Sequence, residues 1–261
     1  MRVEQLGEGD PDLALVGGIH GDEPCGVRAV ERLLADPPAV TRPVKLIVAN
    51  EPALERGERF VDVDLNRSFP GDPTADAYER RLAAELDREL SDCRTLAFHS
   101  TRSHPEPFAV VSGRGAMARD VAPRLSVVAV VDTGPHVGGR LFASGEVLEV
   151  ECGRQGTGRA AENAHRLGRE FLAATGVLEG ADPAEPREVP LYRLTRTIPK
   201  GPAEEYEVFV ENFTRVEADE RFAAADGRPL QAESSFYPVL LSADGYDDLF
   251  GYAAERRGEL P

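Results

Sequence analysis

A histidine and a glutamate lie three residues apart in the glycine-rich stretch VGGIHGDEP, residues 16–24. Catalytic zinc commonly takes three nitrogen or oxygen donors from the protein and keeps a fourth position for water. His20 and Glu23 are therefore a candidate pair of metal ligands. His99, which directly follows the apolar run TLAF at residues 95–98, is the best candidate for the third. The HxxE pair alone is a weak signal, because this spacing is common by chance.

Short apolar runs predict strands that end at these chemical residues. Residues 13–16 and 95–98 read as buried strands, and His20 and His99 follow their ends. Glu151 lies at the end of a third run, and ligand sites of α/β sheets lie beyond the carboxyl ends of strands. Further strands are predicted at 44–48, 108–111, 127–131 and 147–152, a long loop at 50–74, and helices near 27–34, 78–90 and 159–174.

The alternation of strands and helices predicts a layered α/β domain with a largely parallel or mixed sheet. The pattern changes near residue 183. Beyond it, residues 189–194, 207–210 and 237–241 read as strands, with Pro and Gly between them and little helical periodicity. The sequence thus predicts a main domain over residues 1–183 and a small β-rich C-terminal module over residues 184–261.

The charge composition limits the kinds of partner. The 261 residues include 46 acidic and 30 basic side chains, for a formal charge of -16. Nucleic acid and anionic membranes would be repelled, so we expect neither as a partner. An acidic, strongly hydrated surface also suits high salt, where self-repulsion is screened, which predicts a halophilic protein. Association into a homo-oligomer stays open.

Cysteine usage and the N-terminal sequence favour a cytoplasmic location. Cys25, Cys93 and Cys152 are odd in number and form no CxxC pair, so a reducing compartment is the simpler inference. The N-terminus lacks a basic-then-apolar signal pattern. No apolar run approaches the ~20 residues that a membrane helix needs.

A second motif, DVDLNRSFPG at residues 62–71, makes the site specific. HGDEP, the downstream DLNRSFPG and a strand-end histidine together resemble the succinylglutamate desuccinylase and aspartoacylase family, a branch of the zinc-carboxypeptidase fold. The likeness runs from about residue 13 into the YPVL stretch at residues 237–240. It implies a three-layer zinc-carboxypeptidase-like domain with a mixed central sheet. It also implies one Zn²⁺ per chain and hydrolysis of the amide bond of an N-acyl amino acid or a similar small carboxylate-bearing amide.

The same resemblance assigns the metal ligands and the base. The residues that match the zinc ligands are His20, Glu23 and His99. Glu151, in the segment EVECG, matches the glutamate that activates the zinc-bound water. Glu149 lies two residues earlier and would face the same side of a strand. Glu151 is preferred because glycine follows it at the family's offset.

Five further residues match, closely or loosely, substrate-facing positions of the family. Arg59 matches the arginine that polarises the scissile carbonyl, and Asn66 with Arg67 matches the pair that holds the substrate's α-carboxylate. Tyr246 matches a tyrosine that reaches the substrate from the C-terminal module. Arg140 lies one residue out of register with the arginine that binds the distal carboxylate in aspartoacylase, and could serve in its place.

One departure from the family and two rival functions remain. The family commonly has an aspartate two residues before the third ligand, where this chain has Ala97. A metallocarboxypeptidase acting on short peptides is one alternative, disfavoured because the short C-terminal module would narrow the cleft. A binding protein of the same fold without turnover is the other, disfavoured because the candidate ligands and base are all present.

Overall fold

The computed structural model describes residues 1–260 except 135 and 137. The strands in this part of the chain are β1 (Arg2–Leu6), β2 (Leu13–Gly17), β3 (Val44–Val48), β4 (Arg94–Thr101), β5 (Phe108–Val111), β6 (Val130–Asp132), β7 (Val147–Arg154), β8 (Val189–Pro199), β9 (Tyr206–Val208), β10 (Arg221–Ala225), β11 (Arg228–Gln231), β12 (Tyr237–Val239) and β13 (Leu249–Leu260). The α-helices in this part of the chain are α1 (Cys25–Ala35), α2 (Glu51–Arg56), α3 (Tyr78–Leu90) and α4 (Gly158–Ala174).

A mixed sheet forms the centre of the fold, with the strand order β1-β3-β2-β4-β7-β5-β6-β8-β13-β12. Strands β3, β2, β4 and β7 are parallel, so their carboxyl ends share one edge. Strand β5 runs antiparallel to β7. The two segments that carry the candidate metal ligands, one after β2 and one within β4, thus belong to neighbouring strands.

Helices cover both faces of this sheet. Leu15 on β2 packs in one apolar cluster with Leu33 of α1 and Phe171 of α4. Val16, one residue later and on the opposite face, packs in a second cluster with Leu86 of α3. The result is the three-layer α/β arrangement with a mixed central sheet that the sequence predicts.

The segment beyond residue 184 is β-rich, as expected, but its strands divide between two sheets. β8, β12 and β13 continue the central sheet, and β13 pairs with β8 from Leu249↔Pro199 to Leu260↔Val189. β9, β10 and β11 form a small antiparallel sheet. The boundary at residue 183 stays a prediction. None of the helices in the described part of the chain is long and apolar enough to span a membrane.

The predicted loop at 50–74 contains the short helix α2 and is held by one buried carboxylate. Asn50 caps α2 by accepting a hydrogen bond from the Ala53 amide, at 3.3 Å. Its side-chain amide donates to Glu79 Oε1, which also accepts from the Val61 amide at 2.6 Å. The amides of Asp62 and Val63 donate to Glu79 Oε2. Glu79 of α3 therefore fixes the loop that leads into the DLNR segment.

Replacing Glu79 with glutamine should lower the free energy of unfolding by about 2–3 kcal/mol at neutral pH. Glutamine removes the charge and places an NH₂ group where a carboxylate oxygen accepts from two backbone amides, and hydrogen bonds to charged groups contribute about 1.5–3 kcal/mol. Urea unfolding at pH 7 measures the effect. Glu85→Gln, at an exposed position of the same helix, is the matched control.

The difference in unfolding free energy between the wild type and Glu79→Gln should depend on pH. Burial would raise the pKa of Glu79, but the amides of Val61, Asp62 and Val63 and the Asn50 side chain lower it below its ordinary value. The stabilisation is present above the unfolded pKa of about 4.3 and is lost as pH falls through the folded pKa. The difference between wild type and variant should narrow below that pH. Equal unfolding free energies at pH 7 would contradict this role.

Candidate metal centre and active site

The turn after β2 brings His20 and Glu23 to the edge of the sheet. Gly18 adopts a φ of +71°, a conformation that favours glycine. A Cβ atom on Gly21 would lie 2.1 Å from the carbonyl carbon of Ala53, so only glycine permits this approach to α2. The glycines of the first motif therefore let the backbone turn tightly against the next helix while both side chains face inward.

The three predicted ligands converge. His20 Nδ1 lies 2.9 Å from Glu23 Oε1, and His99 Nδ1 lies 3.1 Å from Glu23 Oε2. One ligand atom from each residue lies within 4.8 Å of the others, and all three side chains are buried. The Ser100 amide also donates to Glu23 Oε2 at 3.0 Å. Two imidazole nitrogens and a carboxylate are a donor set that fits catalytic zinc.

Asp64 orients the first of these histidines. Its Oδ1 lies 3.1 Å from His20 Nε2, so a proton on Nε2 leaves Nδ1 free as a metal donor. Burial would lower the pKa of His20, but the Glu23 and Asp64 carboxylates raise it above its ordinary value. Burial would raise the pKa of Asp64, but His20 and Arg59 hold it well below its usual range. Asp64 is thus a permanent carboxylate partner of a candidate ligand.

Glu151 lies directly across from His99 in the paired strands β7 and β4. Its Oε2 is shielded from solvent and has no hydrogen-bond partner among the described residues. Burial, with the nearby charge of Glu23, raises the pKa of Glu151 to about 8. A glutamate whose pKa is raised toward neutrality can accept a proton as the carboxylate and return it as the acid, which suits general acid–base catalysis near neutral pH.

Arg59 lies on the wall of the cleft beside the donor cluster. Its Nη1 donates to Glu23 Oε1 at 3.0 Å, and its Nε donates to Asp64 Oδ2 at 3.2 Å. Burial would lower the pKa of Arg59, but the carboxylates of Glu23 and Asp64 raise it above its ordinary value. A permanently charged guanidinium next to the three candidate metal donors can donate hydrogen bonds to an oxygen that becomes negative during a reaction.

Asn66 and Arg67 follow Asp64 in a short turn. Asn66 is buried and already has protein partners: its Nδ2 donates to Glu149 Oε1 at 3.0 Å, and its Oδ1 accepts from the Leu141 amide at 2.9 Å. Arg67 Nη1 donates to the Asn66 carbonyl at 2.7 Å. Asn66 therefore links two parts of the cleft wall through its hydrogen bonds to Glu149 and Leu141. Arg67 also lines the cleft.

The C-terminal strands complete the cleft. Arg140 is buried, and its Nη2 donates to the Tyr252 hydroxyl at 3.1 Å. The Tyr246 and Tyr252 rings pack edge to face with their centroids 6.4 Å apart. Burial, with Tyr252 nearby, raises the pKa of Tyr246 above its ordinary value, so its hydroxyl stays protonated.

All the predicted site residues line one cleft, which is partly open to solvent and has a cavity volume of about 50 Å³. These residues are His20, Glu23, Arg59, Asn66, Arg67, His99, Arg140, Glu151 and Tyr246. Their individual roles stay predictions. Sequence reasoning assigned no role to Asp64, Glu149 or Tyr252. Asp64 lies within the DLNR motif, which was a signal for it, whereas the contacts of Glu149 and Tyr252 arise from strand register and tertiary packing.

The three-layer α/β fold, with a His-Glu-His donor set at the edge of its mixed sheet, agrees with the fold class that the sequence predicts. Residues 9–112 match the family model described as Succinylglutamate desuccinylase/Aspartoacylase catalytic domain. The resemblance predicted from the motifs is therefore confirmed. The matched segment includes the three candidate ligands and the DLNR segment.

Solved structures share this fold over almost the whole chain. A succinylglutamate desuccinylase/aspartoacylase from Rhodobacter sphaeroides aligns with a TM-score of 0.78 at 19% identity, covering 98% of this chain and 89% of that one. The product-bound ectoine utilization protein EutE (DoeB) from Ruegeria pomeroyi gives 0.77 at 19% identity, covering 97% and 88%. Murine aminoacylase 3 gives 0.73 at 20% identity, covering 97% and 99%. No curated protein matches by sequence.

Proposed function

We propose that this protein is a zinc-dependent amidohydrolase that cleaves an N-acyl amino acid, or a similar small carboxylate-bearing amide, into a carboxylate and an amine. The observation that carries the proposal is the convergence of His20, Glu23 and His99 within 4.8 Å, with Glu151 on the adjacent strand. The matched family model and the names of the similar structures, a desuccinylase/aspartoacylase and an aminoacylase, support deacylation.

In the proposed reaction the metal ligands, Glu151 and Arg59 each have a separate role. His20, Glu23 and His99 would hold the zinc, which would supply Lewis acidity to activate a water and to polarise the scissile carbonyl. Glu151 accepts the proton from the attacking water and passes it to the nitrogen of the leaving amine. Arg59 donates hydrogen bonds to the carbonyl oxygen as negative charge develops there.

The remaining cations of the cleft suit a substrate with carboxylate groups. Arg67 and Arg140 line the same cleft as Glu151, and a guanidinium can hold a carboxylate through two parallel hydrogen bonds. Tyr246, from the segment before β13, closes part of the wall. A cleft with a cavity volume of about 50 Å³, partly closed by Tyr246, favours a small amide over a long peptide. The identity of the acyl group is left to experiment.

Replacing Arg67 with lysine should raise KM about 10- to 100-fold while kcat changes little. Lysine keeps the charge but cannot form the paired hydrogen bonds of a guanidinium, and hydrogen bonds to charged groups are worth about 1.5–3 kcal/mol. Steady-state kinetics on the best substrate from a screen measures both constants. Arg80→Lys, at an exposed position on α3, is the control. A KM equal to that of the wild type would remove Arg67 from substrate binding.

The test of the whole proposal combines metal analysis with a substrate screen. We expect one tightly held zinc per chain and amine release from at least one member of a set of N-acetyl, N-succinyl and N-formyl amino acids, assayed at low and high salt. Short peptides belong in the same screen. Cleavage of peptides alone would favour the carboxypeptidase alternative. Zinc binding without any turnover would favour a binding protein, and the absence of tightly held zinc would refute the metal centre.

A further inference from the structure

Glu149 is a buried carboxylate beside the metal centre to which the proposed chemistry assigns no role. It lies on β7 and is 3% exposed. A buried charge is costly unless it is paired and hydrogen-bonded. Its Oε1 accepts from Asn66 Nδ2 at 3.0 Å, and it lies near the buried guanidinium of Arg140. Burial would lower the pKa of Arg140, but the charge of Glu149 raises it.

The second candidate ligand needs a partner of the kind that Glu149 provides. Zinc held by His99 Nδ1, the nitrogen that faces Glu23, would leave the proton of the neutral ring on Nε2. That Nε2 is buried and has no hydrogen-bond partner among the described residues. The Glu149 Oε1 atom lies 3.8 Å from it. Ligating histidines usually direct their second N–H at a carboxylate, a carbonyl or a water, as His20 does toward Asp64.

The register between β4 and β7 explains why the Glu149 carboxylate lies close to His99. In the parallel pair β4–β7, Ala97 lies opposite Glu149, and His99 lies opposite Glu151. Residues paired across neighbouring strands face the same side of a sheet, as do residues two apart on one strand. Ala97 therefore faces the same side as His99 but offers no polar atom. On this face of the β4–β7 pair, the carboxylate nearest to Ala97 along the register is that of Glu149, on the adjacent strand β7.

We propose that Glu149 is a positioning residue of the metal centre. It orients His99 through Nε2 and Asn66 through Nδ2, and it supplies from β7 the carboxylate that Ala97 does not supply from β4. This role rests on the proposed function, because it takes His99 as a zinc ligand. It is distinct from that of Glu151, which contacts the reacting groups.

Zinc affinity of the metal-free protein tests the role without any substrate. Glu149→Gln keeps the size and an oxygen acceptor for Asn66 but loses the charge that faces His99. We expect its zinc Kd, measured against a competing chelator, to rise about 10- to 100-fold, the cost of losing an outer partner of a metal ligand. Glu146→Gln, exposed just before β7, should leave Kd unchanged. A Glu149→Gln Kd within about twofold of the wild type would overturn the proposal, even if the variant unfolds more easily.

A transfer of the carboxylate between strands tests its placement. Glu149→Ala should weaken zinc binding at least as much as Glu149→Gln. Adding Ala97→Asp to Glu149→Ala restores a carboxylate on the same side of the sheet, two residues before His99. We expect the double variant to recover at least tenfold in zinc affinity over Glu149→Ala. Circular dichroism must first show that the double variant is folded. If its zinc affinity is then no higher than that of Glu149→Ala, a carboxylate at position 97 cannot replace the one at position 149, and the proposed placement is overturned.

A measurement without metal separates this proposal from the proposed function. In the ¹⁵N-labelled, metal-free protein, the side-chain amide of Asn66 should exchange slowly with solvent, because it is buried and donates to Glu149. Glu149→Ala should abolish that protection, and Glu146→Gln should not. Unchanged protection in Glu149→Ala would overturn the positioning role. Failure of the wild type to bind zinc or cleave any amide would instead refute the proposed function while this readout still tests the contact.

Discussion

Replacing Glu151 with glutamine should leave a protein that binds zinc as tightly as the wild type but has lost about 10²- to 10⁴-fold in kcat. Glutamine has nearly the same shape but cannot accept a proton, and a positioned general base contributes roughly that factor. Zinc binding should be unaffected because Glu151 does not belong to the candidate donor set of His20, Glu23 and His99. Zinc content after dialysis and steady-state kinetics on the same preparation measure the two effects.

The control for this experiment is Glu162→Gln, at an exposed position on α4. It should match the wild type in both zinc content and kcat. Undiminished turnover in Glu151→Gln would show that another group accepts the proton, and Glu149, two residues away on the same strand, would be the next to replace. Loss of zinc together with activity would instead make Glu151 part of the metal-binding set.

Replacing His99 with alanine should remove the tightly held zinc and with it the hydrolysis. Two protein donors would remain where catalytic zinc commonly has three. Loss of a residue that only hydrogen-bonds to a metal ligand lowers metal affinity by ~10- to 100-fold. We expect loss of the ligand His99 itself to lower zinc affinity by more than that. Because a metal contributes several kcal/mol to the transition state, kcat/KM should fall at least about 10³-fold. Chelator competition and kinetics measure these losses.

His165→Ala is the matched histidine control, since His165 lies on α4 outside the cleft. It should retain zinc and activity. His99→Ala also removes a buried ring from β4, so circular dichroism must show that the variant is folded before its zinc content is interpreted. A folded His99→Ala protein that still holds one zinc as tightly as the wild type would contradict the proposed metal centre.

Where the fold is built from buried elements, the sequence predicts it well. The apolar runs that become β2, β3 and β5 are buried along almost their whole length, and the stripes of α3 and α4 pack on the sheet. Strand β1, with the sequence RVEQL, is missed because it lies at an edge, paired with β3 alone, and most of its side chains face solvent. Local hydrophobic periodicity carries no signal for a strand of that kind.

The site separates in the same way into local and non-local parts. His20, Glu23 and Asn66 belong to contiguous motifs, so their types and spacing reveal them. The contact between Glu149 and Asn66 joins residues 83 positions apart. It depends on the register of β4 with β7 and on the path of the loop held by Glu79, which no short stretch of sequence records.

The pairing of β13 with β8 has a consequence for the order in which the cleft is assembled. A ribosome makes the chain from its N-terminus, so the three candidate metal donors, the last of them His99, are synthesised long before Tyr246 and Tyr252. Arg140 obtains its hydroxyl partner only when β13 docks beside β8. During translation the three candidate donors are therefore made before Tyr246 and Tyr252, and the tyrosine wall of the cleft can form only after β13 has been synthesised and has paired with β8.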